Sequence, residues 1–195
     1  ASNISSIRAW YFEAAQLKQA ILKGLGLLNT KIDKLHNDSH TDPMTGLFNR
    51  RAMQQMLDDY QAQSLPLAVI ALDIDHFKTI NDHFGHDVGD AVIVSLATLM
   101  QQDLRADAAL CRSGGEEFLL LLPGVSGVQA ERIAERLRLR VESHEMGQAG
   151  RITISLGVAH WPGDASDLGA VLKQADKALY QAKHRGRNCV VVAGA

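Results

Sequence analysis

The sequence contains few cysteines and carries almost no net charge, and both features narrow the functions it can have. Cys111 and Cys189 are too few for a disulfide framework in a chain of 195 residues, and both stand among apolar residues, which fits a reducing compartment. With a formal charge of −2, the chain has no dominant electrostatic attraction to nucleic acid or to an anionic membrane surface. We therefore expect no nucleic-acid partner.

The sequence also lacks long apolar runs, internal repeats and low-complexity tracts. No stretch reaches the roughly 18 apolar residues that a membrane-spanning helix needs, and no signal peptide is visible. The composition, 46% hydrophobic and 22% charged, is that of a globular domain. Because the chain starts at Ala1 rather than Met, we expect a cytoplasmic fragment whose upstream sensor is absent. Anchoring of the full-length protein to the inner membrane stays open.

Apolar residues recur every three or four positions along residues 1–40. They stand at Ile4, Ile7, Tyr11, Ala14, Ile21, Leu25, Leu28, Ile32 and Leu35, and only Lys18 interrupts the series. A period of 3.5 residues sustained over this length is typical of a coiled coil. We therefore predict a long helix that joins two copies of the chain as a homodimer. The alternative is a helix that packs against its own domain.

The remainder, residues 41–195, alternates predicted strands and helices. Pro43 disfavours a helix just before it, and Thr45 or Asn49 is the candidate N-cap of the next helix. The predicted elements are a buried strand over 67–72, a helix over 89–104, a hairpin of 109–112 and 117–122, a helix over 128–143, a strand over 152–160, a helix over 168–183 and a strand over 189–192. This order predicts an α/β (α+β) sandwich of ferredoxin-like type, with helices flanking a central, mostly antiparallel sheet.

Two acidic segments stand at the ends of predicted strands. Asp73 and Asp75 follow the apolar run 67–72, and two carboxylates at a strand end commonly hold a metal, although strands also end in solvated aspartates. Gly114-Gly115-Glu116-Glu117-Phe118 forms the predicted hairpin tip. Its paired glycines allow positive φ and close approach of a phosphate, and its adjacent glutamates repel unless a cation lies between them. A plain turn with solvated acids is the alternative.

Taken together, the motifs resemble the GGDEF family in its GGEEF form. Besides the hairpin tip, the matching segments are Thr41 to Arg51, Asp73 to Asp82, Phe84 to Asp90, Ile152 to Ala159, Ala175 to Lys183 and Gly186 to Asn188. The resemblance spans nearly all of residues 41–195 and implies a nucleotidyl-cyclase-like catalytic domain. Its implied activity is diguanylate cyclase, which condenses two GTP molecules into cyclic di-GMP and two pyrophosphates.

The resemblance implies a role for each matching residue. The implied metal ligands, for two Mg²⁺ or Mn²⁺ ions, are Asp73, Ile74 through its carbonyl, Glu116 and Glu117. The implied GTP-binding residues are Asn81, His86, Asp90, Gly115, Lys183 and Arg187. The implied catalytic residues are Glu116, Glu117 and Lys78. Asp75 receives no role.

These residue types suit the reaction. The 3′-hydroxyl of one GTP attacks the α-phosphate of the other, and two cations lower the pKa of that hydroxyl and neutralise the attacking and leaving oxygens. Lys78 would stabilise charge that develops in the transition state. Asp90 can accept hydrogen bonds from guanine N1–H and the 2-amino group, which adenine lacks. This favours GTP over ATP.

One departure from the family concerns its inhibitory product site, an Arg-x-x-Asp motif upstream of the glycines. Arg105 stands at the arginine position, but Ala108 replaces the aspartate and Asp107 comes one residue early. We therefore expect this site to be non-functional.

Two other functions remain as alternatives. A catalytically silent receptor for GTP or cyclic di-GMP is disfavoured by the intact hairpin motif and Lys78. A cyclase that makes another dinucleotide is disfavoured by Asp90. No Glu-Ala-Leu motif of the phosphodiesterase type is present in the sequence.

Overall fold

A computed structural model of the chain describes residues 17–19, 21–27, 40–164 and 167–194. The chain divides into two compact units, Ala1–His40 and Thr41–Ala195. In the first unit, residues 17–19 and 21–27 are helical, and Ile21 and Leu25 of the predicted seam are 54% and 52% exposed. The other apolar seam positions lie outside the described residues, so pairing of two chains through this helix stays a prediction.

The second unit contains five strands and five α-helices among its described residues. In chain order they are α1 (Arg50–Ala62), β1 (Leu67–Ile74), α2 (Phe77–Phe84), α3 (His86–Gln101), β2 (Ala109–Arg112), β3 (Glu117–Pro123), α4 (Gly127–Ser143), β4 (Ile154–Trp161), α5 (Leu168–His184) and β5 (Val190–Val192). A 3-10 turn over Gly147–Ala149 precedes β4. None of the described helices is long and apolar enough to cross a bilayer.

The strands form one sheet in the order β2-β3-β1-β4-β5. The central strand, β1, pairs antiparallel with both β3 and β4, and β5 alone runs parallel to its neighbour. Every residue of β1 is buried, because helices cover both faces of the sheet. The mostly antiparallel sandwich expected from the sequence is therefore confirmed.

Side chains of β1 alternate between two cores. Ala68, Ile70, Leu72 and Ile74 join the core formed with α2, α3 and α4. Leu67, Val69 and Ala71 join the core formed with α1 and α5. By the same alternation the side chain of Asp73 lies on the face of the sheet that α1 and α5 cover. The C-terminal end of β1, which carries Asp73, lies at one edge of the sheet.

The boundaries of several elements differ from the sequence-based expectations. Helix α3 begins at His86 rather than at residue 89. It follows directly after Gly85, whose φ of 87° interrupts the helical conformation between α2 and α3. The short helix α2 was not predicted at all. Of the two candidate N-caps, Asn49 caps α1, because its side chain accepts hydrogen bonds from the N–H groups of Arg51 and Ala52.

A close approach between β4 and α5 depends on Gly157. A Cβ at this position would overlap backbone atoms of Ala175 and Leu179 in α5. Since backbone atoms cannot move aside as a flexible side chain can, a side chain here would push α5 away from the sheet. Gly157 thus helps to set the position of the helix that carries Lys183.

Candidate active site

Asp73 lies at the C-terminal end of β1. Its register partners are Glu117 on β3 and Ser155 on β4. Asp73 is 5% exposed, and its Oδ2 forms an ion pair with Nζ of Lys183 at 2.7 Å. Burial raises the pKa of Asp73; the Lys183 ammonium opposes this rise, and the charges of Glu116 and Glu117 add to it. A buried carboxylate, two acidic neighbours and a lysine therefore share one edge of the sheet.

The loop between β2 and β3 carries the paired glycines and glutamates. The Arg112 guanidinium donates hydrogen bonds to the Gly115 carbonyl, with Nη2 at 2.8 Å and Nε at 3.1 Å. Paired glycines allow positive φ, but neither Gly114 nor Gly115 has it. What Gly114 supplies is space, since a Cβ there would lie 3.0 Å from Oε2 of Glu117. An arginine, rather than left-handed backbone, holds the hairpin tip.

Arg112 also connects this tip to the segment that enters the domain. Its Nη1 lies 3.0 Å from Oδ1 of Asp42, which accepts further hydrogen bonds from the N–H and hydroxyl of Thr45. Burial raises the pKa of Asp42, but the hydrogen bonds from Thr45 and Arg112 outweigh this effect and hold that pKa below its ordinary value. The sequence does not reveal this pair, because 70 positions separate the two residues.

A cavity of about 480 Å³ opens on the α1/α5 face of the sheet. Glu117 and Lys183 line it together with Arg50, Asp176 and Tyr180. Burial raises the pKa of Asp176, and the charge of Glu117 adds to the rise. Arg50 and Asp176 are not among the site residues predicted from the sequence. The predicted guanine-binding residues do not line this cavity.

Those guanine-binding residues lie on α2 and α3. The Asn81 side chain is partly buried, and its Oδ1 is the one buried side-chain polar atom in the described part of the chain without a hydrogen-bond partner. Asn81 packs against Gly89 of α3, where a Cβ would overlap that oxygen. Asp90 and His86 are exposed on α3. The two helices thus carry a buried amide oxygen without a hydrogen-bond partner and an exposed carboxylate.

Lys78 and Arg187, two of the predicted phosphate-binding residues, are both exposed. Lys78 is exposed in the first turn of α2, which follows β1 directly. Arg187 is exposed in a turn after α5, in which Gly186, Arg187 and Asn188 have φ values of 111°, 66° and 46°. Left-handed backbone at non-glycine residues is uncommon and clusters at functional sites.

Comparison with known proteins decides the family. The profile described as "Diguanylate cyclase, GGDEF domain" matches residues 39–189. The chain belongs to the GGDEF family. It is 43% identical over 160 residues to the response regulator PleD of Caulobacter vibrioides, and 39% identical over 165 residues to the diguanylate cyclase DgcM of Escherichia coli. These alignments cover 77% and 83% of this chain but only 35% and 40% of the two relatives, so the chain spans less than half of their length.

Solved GGDEF structures share the fold. The GGDEF domain of DgcB from Caulobacter crescentus, in complex with c-di-GMP, matches with a TM-score of 0.75 and 34% identity, over 81% of this chain and 98% of that one. The structure of the coiled coil and GGDEF domain of DgcB matches with a TM-score of 0.74 and 30% identity, over 92% of this chain and 98% of that one.

GGDEF diguanylate cyclases generally use divalent metal ions, and the donors at the end of β1 suit them chemically. Asp73, Glu116, Glu117 and the carbonyl of Ile74 are hard oxygen ligands of the kind that Mg²⁺ prefers. Within the described ranges no three His, Cys, Asp or Glu side chains form a ready-made metal cluster. The acidic neighbours that raise the pKa of Asp73 nevertheless give this edge the negative charge that a dication neutralises. The ligand set stays a prediction.

The Arg-x-x-Asp motif of the family's inhibitory product site lacks its aspartate in this chain, because Ala108 stands at that position. Arg105 forms an ion pair with Asp107 through Nε and Nη2, and both side chains are largely exposed. Ala108 is partly buried and packs against the core. The arginine therefore has a carboxylate partner of its own on the same short loop. Loss of this site in the present chain remains a prediction.

Proposed function

We propose that this chain is the catalytic part of an active diguanylate cyclase, which converts two GTP molecules into one cyclic di-GMP and two pyrophosphates. The observation that carries the proposal is the meeting of Asp73, Glu117 and Lys183 at one sheet edge, next to a hairpin tip of the GGEEF type. Family membership supports cyclic di-GMP synthesis at the level of the family.

Asp73, Glu116 and Glu117 together form what we call the acidic edge. This acidic edge would serve the metal-dependent part of the reaction. Asp73, Glu116, Glu117 and the Ile74 carbonyl would hold two Mg²⁺ or Mn²⁺ ions. When bound, such ions neutralise charge on phosphate oxygens and lower the pKa of a coordinated hydroxyl. Arg112 contributes by donating to the Gly115 carbonyl, which supports the conformation of the hairpin tip. Glu117 would accept the proton of the attacking 3′-hydroxyl.

Cationic side chains would bind the triphosphate and stabilise the charge that develops as pyrophosphate leaves. Lys183 lies in direct contact with Asp73, so a phosphate bound by this ammonium would lie close to the acidic edge. Lys78 is the second residue of α2, the helix after β1, and Arg187 follows α5. Three cations around one triphosphate supply electrostatic stabilisation of the transition state.

Asn81 and Asp90 would select guanine. Asn81 Oδ1 has no partner within the described residues, and a buried acceptor of this kind gains by binding a ligand N–H. Asp90 can accept from guanine N1–H and the 2-amino group. Adenine has neither donor in that arrangement. His86, exposed at the start of α3, would lie near the same nucleotide.

Ring closure needs two such domains, because each would hold one GTP. The N-terminal helix would supply the second copy by forming a parallel coiled coil, which raises the effective concentration of one domain near the other. The likeness to the coiled coil and GGDEF domain of DgcB, over 92% of this chain, supports this proposal.

Competition between GTP and ATP tests the proposal. The purified chain is incubated with both nucleotides at equal concentration and with Mg²⁺, and the products are identified by mass. We expect cyclic di-GMP, with GTP preferred by at least about tenfold, which is roughly 1.4 kcal/mol. Mixed or adenine-containing products would indicate another dinucleotide cyclase. Nucleotide binding without any product would indicate a silent receptor.

A further inference from the structure

Asp75 lies just past the end of β1 and has no role in the reaction proposed above. It is 4% exposed, and its carboxylate accepts three hydrogen bonds. The Ser155 hydroxyl donates to Oδ1 at 2.6 Å, and the Thr153 hydroxyl donates to Oδ2 at 2.7 Å. The third donor is the backbone N–H of Asn188, 3.0 Å from Oδ2. One buried carboxylate therefore links β1, the start of β4 and the turn after α5.

The turn that Asp75 holds is unfavourable by itself. Arg187 and Asn188 both have left-handed backbone, which is unfavourable for a residue with a Cβ, although asparagine tolerates it better than arginine does. Such a conformation persists only where surrounding contacts enforce it. The Asn188 side chain supplies further contacts, because its Oδ1 accepts from Nη1 of Arg138 at 2.8 Å and its Nδ2 donates to Oε1 of Glu142 at 2.7 Å.

We propose that Asp75 is the positioning residue for Arg187: through the Asn188 N–H, it fixes the left-handed turn that presents this arginine to the triphosphate. Asp75 comes two residues after Asp73 on the same chain segment. The carboxylate thereby fixes the turn with respect to the acidic edge. The inference rests on the proposed function in one respect, namely that Arg187 contacts the phosphates.

A merely structural role would give a different result in a double-mutant cycle. If Asp75 acts through Arg187, removing both side chains removes one contribution to binding, and the two effects are not additive. If Asp75 only stabilises the fold, its removal weakens binding independently of Arg187. The probe is guanosine 5′-(α,β-methylene)triphosphate with Mg²⁺, whose affinity is measured by calorimetry without turnover.

We expect Asp75→Ala and Arg187→Ala each to weaken binding of this probe by about tenfold, and the double variant to be no more than about threefold weaker than either. Additive losses of about a hundredfold would overturn the proposal. Unchanged affinity in Arg187→Ala would overturn it as well, whereas the proposed cyclase activity is decided separately by product formation in the unaltered chain. Leu122→Ala, a buried truncation at the far end of β3, is the destabilised control and should keep normal affinity.

A pair of variants at Asn188 tests the same inference even if Asp75→Ala does not fold. Glycine adopts left-handed φ readily and keeps the N–H that Asp75 accepts, whereas valine keeps the N–H but cannot adopt this conformation without strain. Neither variant keeps the contacts to Arg138 and Glu142. We expect Asn188→Gly to bind the probe within about threefold of the unaltered chain and Asn188→Val to lose about tenfold. Equal affinities of these two variants would contradict the proposal.

Discussion

Lys183 Nζ lies 2.7 Å from Oδ2 of Asp73, and this ion pair joins the last long helix to the end of the central strand. The resemblance to the GGDEF family assigns the two residues to different ligands, the lysine to phosphate and the aspartate to metal. Because the two side chains are in contact, we propose that both ligands share one site. The close packing of α5 on β4 at Gly157 helps to make this contact possible.

Gly89→Ala should impair GTP binding without unfolding the domain. A Cβ at this position would overlap Oδ1 of Asn81, so the Asn81 side chain must move away from its place beside α3. Loss of one hydrogen bond to guanine corresponds to about a tenfold higher KM for GTP, with a smaller change in kcat. Gly127→Ala is the matched control, because a Cβ there meets His160 at an ordinary 3.5 Å. Equal KM values for the two variants would show that Gly89 does not position Asn81.

Asp42→Asn should destabilise the domain in a pH-dependent manner. The pKa of Asp42 in the folded state is held below the ordinary value of 3.8, so its stabilisation is fully present above that value. It is lost as the pH falls through the lowered pKa of the folded state. We expect a loss of about 1–2 kcal/mol in the free energy of unfolding at pH 7, measured with urea, and a smaller loss near pH 3. Asp59→Asn, at an exposed position of α1, serves as the control. A difference that is constant between pH 3 and pH 7 would refute this account.

The elements with strong local signals could be predicted from the sequence. The apolar run ending at Leu72 predicts β1 because a strand buried on both faces is continuously apolar. Asn49 has the chemistry of an N-cap. Helix α2 has only eight residues and begins after His76 in left-handed conformation, so neither a cap nor a sustained period marks it.

The parts of the site that depend on distant contacts could not be predicted. Asp42 and Arg112 meet across 70 positions, and Asp75 meets Asn188 across 113. No local pattern encodes such pairs. The glycines of the hairpin tip suggest conformational freedom, but in the structure Gly114 leaves space for the Glu117 carboxylate.

Cyclic di-GMP should inhibit the proposed cyclase activity only weakly through the surface that carries Arg105. Ala108 cannot supply the carboxylate that the family motif provides, and Arg105 is already paired with Asp107. In a titration of cyclic di-GMP against the initial rate, Arg105→Ala should change the inhibition by less than about twofold. Tight non-competitive inhibition that disappears in Arg105→Ala would show that the site works without its aspartate.

Activity should depend on the N-terminal helix and on protein concentration. Deletion of residues 1–38 should leave a domain that binds GTP but loses at least about tenfold in specific activity at sub-micromolar concentration, and recovers as concentration rises. Leu25→Glu should have the same effect, because it places a charge in the predicted seam. Lys23→Glu changes charge outside the seam and is its control. Full activity of the truncated domain at low concentration would assign this helix to a connecting rather than a dimerising role.

We propose that the acidic edge formed by Asp73, Glu116 and Glu117 makes this chain a cyclase. The most direct measurement compares the initial rate of cyclic di-GMP formation by the unaltered chain and by Glu116→Gln, with GTP at saturating Mg²⁺. Circular dichroism checks that both are folded. We expect steady synthesis by the unaltered chain and a loss of at least about a hundredfold in the variant, whose amide cannot replace a charged ligand. Near-normal synthesis by Glu116→Gln would contradict the claim.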